Sequence, residues 1–215
     1  MNPQGALPFT HADFVGVFER YNQAVWPAQW LAYVLGLAVV AMVLRPTPQR
    51  GRLVTAILAL GWAWTGVAYH WMHFAPINPA ARTFGALFLV QALLLAWSSW
   101  KGSVRYARGD GPRAWLGWGL VAYALVLYPL LGLALGQAPG QLPMFGITPC
   151  PLTLFTFGVL LLARGRVPWW LLLVPLAWAL VGGSAAALLR VPQDWVLLAS
   201  ALAVLPILRH NARTA

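Results

Sequence analysis

Long apolar runs separated by short polar breaks dominate the hydropathy pattern of this chain. An α-helix needs about 20 apolar residues to cross about 30 Å of hydrocarbon. Runs that approach this length predict seven membrane-spanning helices, at residues 26–44, 53–74, 83–100, 114–136, 150–163, 168–189 and 194–208. We therefore expect an all-α integral membrane protein whose transmembrane domain occupies residues 26–208.

Basic residues fall in every second break between these runs. Three, four and two Arg or Lys residues lie in the breaks 45–52, 101–113 and 164–166, and the tail 209–215 holds Arg209 and Arg213. The intervening breaks carry little charge. Break 75–82 holds only Arg82, break 137–149 holds no charged residue, and break 190–193 holds only Arg190 as a basic residue. Because basic loops remain in the cytoplasm, the pattern predicts an outer N-terminus and a cytoplasmic C-terminal tail.

Residues 1–25 are predicted to form an extracytoplasmic segment that contains a short amphipathic helix. Within residues 9–25, apolar side chains recur at helical spacing, at Phe14, Val17, Phe18, Tyr21 and Val25. Thr10 and Asp13 have the spacing of a capping box, which marks the start of a helix. Such a helix is expected to lie on the outer surface of the membrane.

The fifth run, 150–163, is too short to cross the hydrocarbon as a helix. The preceding segment, 141–150, is rich in proline and glycine. Either this segment descends into the membrane as ordered non-helical chain, which is tolerated where protein covers it or it lines a cavity, or the bilayer thins locally. The prolines and the glycine favour the first alternative. This segment is a candidate wall of a binding site.

The first and fifth runs share a spacing that indicates an internal repeat. Pro27 precedes Gly36 by the same interval as Pro149 precedes Gly158. With the fourth span as a connector, the pattern predicts two parallel three-helix units, a three-plus-one-plus-three arrangement. This topology is similar to that of the SWEET and PQ-loop transporters, although the Pro-Gln dipeptide of the second group is missing here.

Composition excludes a soluble domain and narrows the partners. The chain is 60% hydrophobic and 8% charged, with a mean hydropathy of +0.70, whereas soluble domains carry about 25% charged residues. The net charge of +10 is spread over loops, without the dense basic block of a nucleic-acid binder. The expected partners are the lipid bilayer and a small-molecule solute, and a homo-oligomer is left open. Cys150, the single cysteine, excludes an intramolecular disulfide.

Polar side chains cluster toward the predicted outer end, with one amide near the middle of the third span. Because polar groups at membrane depth need partners or a cavity, they predict an outward-facing polar pocket that binds a solute. The candidate binding residues are Glu19, Asn22, Gln29, His70, His73, Asn78, Gln91, Thr148 and Cys150.

His70 and His73 lie one helical turn apart at the end of the second span. Their imidazole nitrogens could bind a transition metal such as zinc. Metal sites need three or four ligands, and only Glu19 and Cys150 could complete this one. The alternative is that both histidines lie in headgroup water and form local hydrogen bonds.

Three segments of the chain resemble the signature segments of a known family: 7–30, 69–92 and 145–158. They are similar to segments in a family of uncharacterised bacterial multi-pass membrane proteins, some of which are labelled permeases. The resemblance covers nearly the whole chain and implies a bacterial inner-membrane location. It brings no established chemistry and no assigned site residues.

The leading expectation is a small-solute permease. One alternative is a membrane-embedded enzyme at the outer leaflet, in which the histidines hold zinc and Glu19 acts as a base. Another is a non-catalytic subunit or sensor that binds a lipid, a quinone or haem. The predicted spans contain no acidic residue except Asp194 at an edge, which argues against the enzyme and against proton coupling through a carboxylate relay.

Overall fold

Helices account for most of the chain in the computed structural model, which describes residues 8–189 and 191–210. The helices are α1 (His11–Ala24), α2 (Ala28–Leu44), α3 (Pro48–Phe74), α4 (Ala81–Lys101), α5 (Pro112–Ala134), α6 (Pro149–Leu161), α7 (Trp170–Leu189) and α8 (Trp195–His210). Strands β1 (Arg105–Tyr106) and β2 (Ala163–Arg164) form a short antiparallel ladder. The all-α prediction is confirmed. Residues 1–7, Arg190 and residues 211–215, which include parts of the predicted N-terminal segment and tail, lie outside the described residues.

Two of the helices change their hydrogen-bonding pattern along their length. α3 continues as a π-helix over Thr65–Phe74, and α5 contains a π segment at Tyr123–Leu127. The π geometry at the end of α3 is visible in the bond from the Ala75 N–H to the His70 carbonyl, five residues back, at 2.9 Å. π segments inside α-helices are rare and occur frequently at functional sites.

α6 is the central helix of the bundle. Every residue from 151 to 163 is buried, because α6 packs against α3, α5, α7 and α8. α5 and α6 approach through two glycines: a Cβ built on Gly158 would lie 2.7 Å from the Gly117 carbonyl oxygen, and one built on Gly117 would lie 3.0 Å from that of Gly158. Small residues at such crossings let helix backbones come close enough for extensive van der Waals contact.

The loops lie at two ends of the bundle. The basic end holds the loops 45–47, 102–111 and 162–169, and the α1 end holds α1 with the loops 135–148 and 191–194. At the basic end, β1 and β2 join the loops 102–111 and 162–169, and the Arg113 Nε donates to the Leu161 carbonyl at 2.8 Å. At the α1 end, the Tyr123 hydroxyl donates to the Gln193 carbonyl at 2.8 Å. Two of the loops that carry the basic residues, 102–111 and 162–169, therefore meet in space.

α1 packs across one end of the bundle, the α1 end. It begins with the predicted capping box, in which the Thr10 side chain accepts from the Asp13 N–H and the Asp13 carboxylate accepts from the Thr10 N–H. Its apolar side chains Val17, Phe18 and Tyr21 are buried, against the π segment of α3 and the chain that follows α5. The predicted helix is confirmed, but much of its apolar face packs on protein rather than on lipid headgroups.

Helix length supports fewer spans than the apolar runs predict. Among the described residues, three helices are long and apolar enough to cross a membrane, namely α3, α4 and α5. α1 and α2 are long and apolar enough only together, as a pair bent by 87°. Counting this pair as one span brings the number of candidate spans to four at most. α6 and residues Trp170–Ala185 of α7 are apolar but shorter. The predicted runs 26–44 and 150–163 form helices of only 17 and 13 residues, α2 and α6. Apolar composition therefore predicts more spans than helix length supports.

The predicted repeat is not reflected in the packing. α2 and α6 should occupy equivalent positions, yet α2 lies at the edge of the bundle, with Leu31, Val34 and Leu37 about 60% exposed, whereas α6 is buried on all sides. The segment before α6 is non-helical from Leu142 to Thr148, as the proline pattern indicated, and its Phe145 and Ile147 side chains are buried.

Candidate ligand-binding cavity

A partly open cavity of about 170 Å³ lies at the α1 end, bordered by α1, α3, α4, α5, α6, α7 and the turn before α8. Its walls are mostly aromatic and apolar, and they include Phe14, Phe18, Tyr69, Phe84 and Trp178. An apolar cavity of about 150 Å³ in another protein holds a benzene-sized molecule. The volume here therefore suits a small organic molecule.

Three groups from different elements meet at one wall of this cavity. Asp194 belongs to the 3₁₀ turn Pro192–Asp194 that precedes α8, and it is buried. The Tyr128 hydroxyl, from α5, donates a hydrogen bond to its Oδ1. The Cys150 thiol, from the first turn of α6, lies within hydrogen-bonding reach of the same carboxylate. Among the described lining residues, the cavity thus has one carboxylate, contacted by two donors.

Burial raises the pKa of the Asp194 carboxyl to about 6, while the hydrogen bonds from Tyr128 and Cys150 oppose this shift. Removal from water disfavours the charged form of an acid, and donors favour it. At pH 7 the carboxylate is therefore mainly ionised, in surroundings that are largely apolar. A cation or a strong hydrogen-bond donor is the complementary ligand.

Glutamine side chains fix the turn that carries Asp194. The Gln193 side chain is buried, and its Nε2 donates to Gln137 Oε1 at 3.0 Å. Gln137, in the loop after α5, also lines the cavity. Together with the bond from Tyr123 to the Gln193 carbonyl, this contact ties the turn to α5 on the side of the cavity.

Gly182 lies close to this acidic site. A Cβ built on Gly182 would lie 3.1 Å from Leu197 Cδ2, 3.5 Å from Trp178 Nε1 and 3.7 Å from Cys150 Sγ, so a larger residue would crowd this wall. The Trp178 Nε1 lies near the Cys150 thiol, which is a weak acceptor, and it has no geometrically good hydrogen bond among the described residues. A stronger acceptor in the cavity would therefore improve the pairing of this buried N–H.

Three of the predicted binding residues line this cavity: Asn78, Thr148 and Cys150. The Asn78 Oδ1 accepts from the Ala80 N–H at 3.2 Å, and the Thr148 hydroxyl donates to the Met144 carbonyl at 2.7 Å. Both side chains therefore shape loops at the cavity wall, and the Cys150 thiol reaches the carboxylate.

Three other predicted residues fasten α1 to its surroundings. The Asn22 Nδ2 donates to the carbonyls of Gly140 and Leu142 at 2.9 and 2.8 Å, and the Gln29 Nε2 donates to the Asn22 carbonyl at 2.8 Å. Glu19 is exposed and accepts from the Gln141 side chain at 3.2 Å. Asn22 and Gln29 line a separate surface recess rather than the cavity.

Gln91, His70 and His73 lie outside the cavity lining. Gln91 is fully buried, and its Nε2 donates to the Leu171 carbonyl at 3.0 Å. The His70 ring is buried, with centroids 4.6 Å from Phe88 and 5.0 Å from Trp178, and neither nitrogen has a hydrogen-bond partner among the described residues. His73 Nδ1 lies 2.7 Å from the Ala68 carbonyl oxygen, where it can donate a hydrogen bond.

The two histidines contact different parts of the bundle. His70 packs against Phe84 of α4 and Trp178 of α7, whereas the His73 ring lies 5.0 Å from that of Tyr21 of α1. The π geometry contributes, because its wider turn moves residues three apart away from a shared face. Among the described residues, no group of three His, Cys, Asp or Glu side chains could hold a metal. Zinc binding stays a prediction without support from this geometry.

Three groups define the chemistry of the cavity: Asp194, Tyr128 and Trp178. None of them is among the binding residues predicted from sequence. One signal was available, because Asp194 is one of only four acidic residues and stands in the apolar stretch "VPQDWVLL". Tyr128 and Trp178 lie inside apolar runs, where nothing in the pattern distinguishes them from packing residues.

Comparison with known proteins gives a family but no function. Neither a curated protein nor a solved structure matches this chain. The model of a family of unknown function, DUF6064, matches residues 11–215. The resemblance to an uncharacterised family is thereby confirmed, and the chain belongs to the DUF6064 family.

Proposed function

We propose that this protein is a permease of the bacterial inner membrane that carries a small organic cation. The observation that carries the proposal is the aromatic cavity at the α1 end, with the buried Asp194 carboxylate in its wall. The proposal gives the expected small-solute permease a ligand class and a site.

An organic cation fits both features of the cavity. A desolvated cation over an aromatic face gains about 2 kcal/mol, and aromatic cages are a recurring way to bind quaternary ammonium groups. Phe18, Tyr69 and Trp178 supply such faces, and Asp194 supplies the opposite charge. A neutral molecule of the same shape would leave the buried carboxylate without compensation, and an anion would be repelled by it.

Helix irregularities near the cavity favour movement. Tyr69 and Phe74 belong to the π segment of α3, and Tyr128 follows the π segment of α5. Pro175 lies inside α7, one of the cavity walls. Because π segments and prolines interrupt the regular hydrogen bonding of a helix, they are points at which these helices can bend. Such bends are what a permease needs to open its site to the other side.

The proposed orientation places the α1 end of the bundle outside and the basic end in the cytoplasm. It draws support from the loops, since the basic residues gather at the end opposite to α1. The shortness of α6 is compatible with this arrangement, because protein surrounds α6 on all sides and it need not match the lipid thickness.

Cysteine labelling in intact cells tests this orientation. In a Cys150→Ser background, Ala138→Cys places an exposed thiol at the α1 end and Ser103→Cys places one at the basic end. A membrane-impermeant maleimide should label the first variant in intact cells and the second only after permeabilisation. The reverse pattern, or labelling of both from one side, would contradict the proposed orientation.

Choline serves as the probe for the solute site, and its neutral isostere 3,3-dimethylbutanol serves as the control. The purified protein should bind choline saturably, with a change in Trp fluorescence because Trp178 lines the cavity, and should bind the isostere at least tenfold more weakly. Proteoliposomes should then take up labelled choline faster than empty vesicles. Equal binding of both compounds would refute the cation proposal.

A binding subunit or sensor is the second candidate. It is favoured by the way in which α1 covers the cavity, fixed by hydrogen bonds from Tyr21 and Asn22 to the loop before α6. Saturable choline binding without any uptake into proteoliposomes would select this function over the permease.

A further inference from the structure

A second recess, of about 310 Å³, lies at the basic end, between the start of α3, the end of α4 and the β1–β2 ladder. We refer to it as the basic cleft. Four basic residues line it, from four segments of the chain: Arg52, Lys101, Arg105 and Arg164. No carboxylate is among its described lining residues.

The fold brings these charges together in spite of their repulsion. The β ladder pairs Arg105 directly with Arg164, and like charges at directly opposed positions destabilise a ladder. The Arg52 guanidinium packs on Gly102, where a Cβ would lie 3.1 Å from Arg52 Nε. Gly102 has a φ of 65°, so a glycine is favoured there on conformational grounds as well.

The cleft also contains the N-terminus of a long helix. Thr47 caps α3 by accepting from the Arg50 N–H at 3.2 Å, and Pro48 occupies the first turn. A helix N-terminus carries partial positive charge and adds to the potential of the four cations. An anion with several oxygens would offset the repulsion, and arginine pairs especially well with phosphate because its fork can donate two parallel hydrogen bonds.

Lys101 connects the basic cleft to the face of the bundle. Its Nζ lies 4.9 and 4.7 Å from the ring centroids of Trp97 and Trp100, and these two rings are 53% and 66% exposed. Exposed tryptophans at the end of an apolar helix mark the headgroup level of a membrane. Leu93, one helical turn before Trp97, is also exposed, so an apolar face suited to acyl chains continues from the cleft.

We propose that the basic cleft binds the phosphate of an anionic phospholipid headgroup from the cytoplasmic leaflet. The inference rests on the proposed membrane orientation but not on the solute cavity. The same phosphate chemistry exists in soluble compounds, and the neighbouring tryptophans and exposed apolar face favour the lipid.

The test uses the full-length protein in a zwitterionic detergent, titrated with short-chain phosphatidylglycerol and followed by native mass spectrometry. Removal of one cleft cation, by Arg105→Gln or Arg164→Gln, should weaken lipid binding about fivefold. Arg45→Gln and Arg166→Gln remove the same charge from exposed positions outside the cleft, and they should leave the affinity within about twofold.

Two further arms keep the proposal falsifiable. Inorganic phosphate and glycerol phosphate are added at the concentration at which the lipid saturates the protein. At that concentration they should not displace the lipid. If cleft and control variants weaken lipid binding equally, the attraction is a general effect of charge and the basic cleft is not the site. If soluble phosphate at equal concentration displaces the lipid, the ligand is not specifically a lipid. Thermal unfolding of each variant shows that it is folded, and the result is independent of choline binding.

Discussion

Replacing Asp194 by asparagine is expected to abolish choline binding and, at pH 7, to stabilise the folded protein. Binding should fall at least 100-fold, because a buried ion pair loses its anionic member. Asparagine keeps an oxygen that can accept from Tyr128, so the local contacts survive. The binding isotherm and the thermal unfolding midpoint are measured on the same preparation.

The two effects depend on pH in ways that follow from the carboxyl pKa. Burial raises the pKa of Asp194 from 3.8 to about 6, so the folded state holds this proton more tightly than the unfolded chain. The contribution of this group to the free energy of unfolding is therefore greatest below pH 4. It falls as the pH rises toward 6 and is constant above pH 6. The gain in Asp194→Asn should reach about 3 kcal/mol above pH 6 and vanish below pH 4.

Choline binding by the unsubstituted protein should have the opposite dependence, since it needs the ionised form and should fall as pH drops through about 6. The titratable groups that face Asp194 are Tyr123 and Tyr128 from α5, Cys150 from α6 and Tyr69 from α3. Asp110→Asn, at an exposed loop position, is the control and should change neither property. Choline binding retained in Asp194→Asn would eliminate this carboxylate as the cation partner.

Substituting Gly158 by alanine is expected to destabilise the protein by about 1–3 kcal/mol, the usual cost of overpacking. The added methyl group would lie 2.7 Å from the Gly117 carbonyl oxygen and 3.0 Å from the Val121 backbone nitrogen. Both are backbone atoms of α5, so the two helices would have to separate. Thermal unfolding in detergent measures the loss.

Gly119→Ala is the matched control for this substitution. Gly119 lies on α5 and is exposed, and a Cβ added there would have no described atom within 4 Å. Alanine is a better helix former than glycine by about 1 kcal/mol, so this variant should be neutral or slightly stabilised. Similar midpoints for Gly119→Ala and Gly158→Ala would mean that the α5–α6 crossing is looser than described.

Local patterns in the sequence were sufficient for much of the fold. The capping box at Thr10 and Asp13 marked the start of α1, and the charged breaks indicated which loops meet, as Arg105 and Arg164 do in the ladder. The number of spans was not predictable in the same way. An apolar residue looks alike whether it lies on the outer face of the bundle, as Leu93 does, or inside it, as Phe155 does.

The candidate site was predictable only in part, from polar residues near the predicted outer ends of the spans. Asn78, Thr148 and Cys150 were found in this way and line the cavity. Tyr128 and Trp178 were missed, since their polar atoms are attached to large apolar side chains. His70 and His73 were assigned to one face because helical spacing assumes α geometry, and a π segment depends on packing that the spacing does not encode.

The hydrogen bonds that fasten α1 have a consequence for kinetics. Tyr21 donates to the Ile147 carbonyl at 2.8 Å and accepts from Trp64 at 2.9 Å, while Asn22 holds two carbonyls of the same loop. Because α1 forms part of the cavity wall, we expect a ligand from this side to enter when these contacts break together. Its association rate should therefore level off at high ligand concentration, at the frequency with which α1 lifts, and its residence time should be long relative to its affinity.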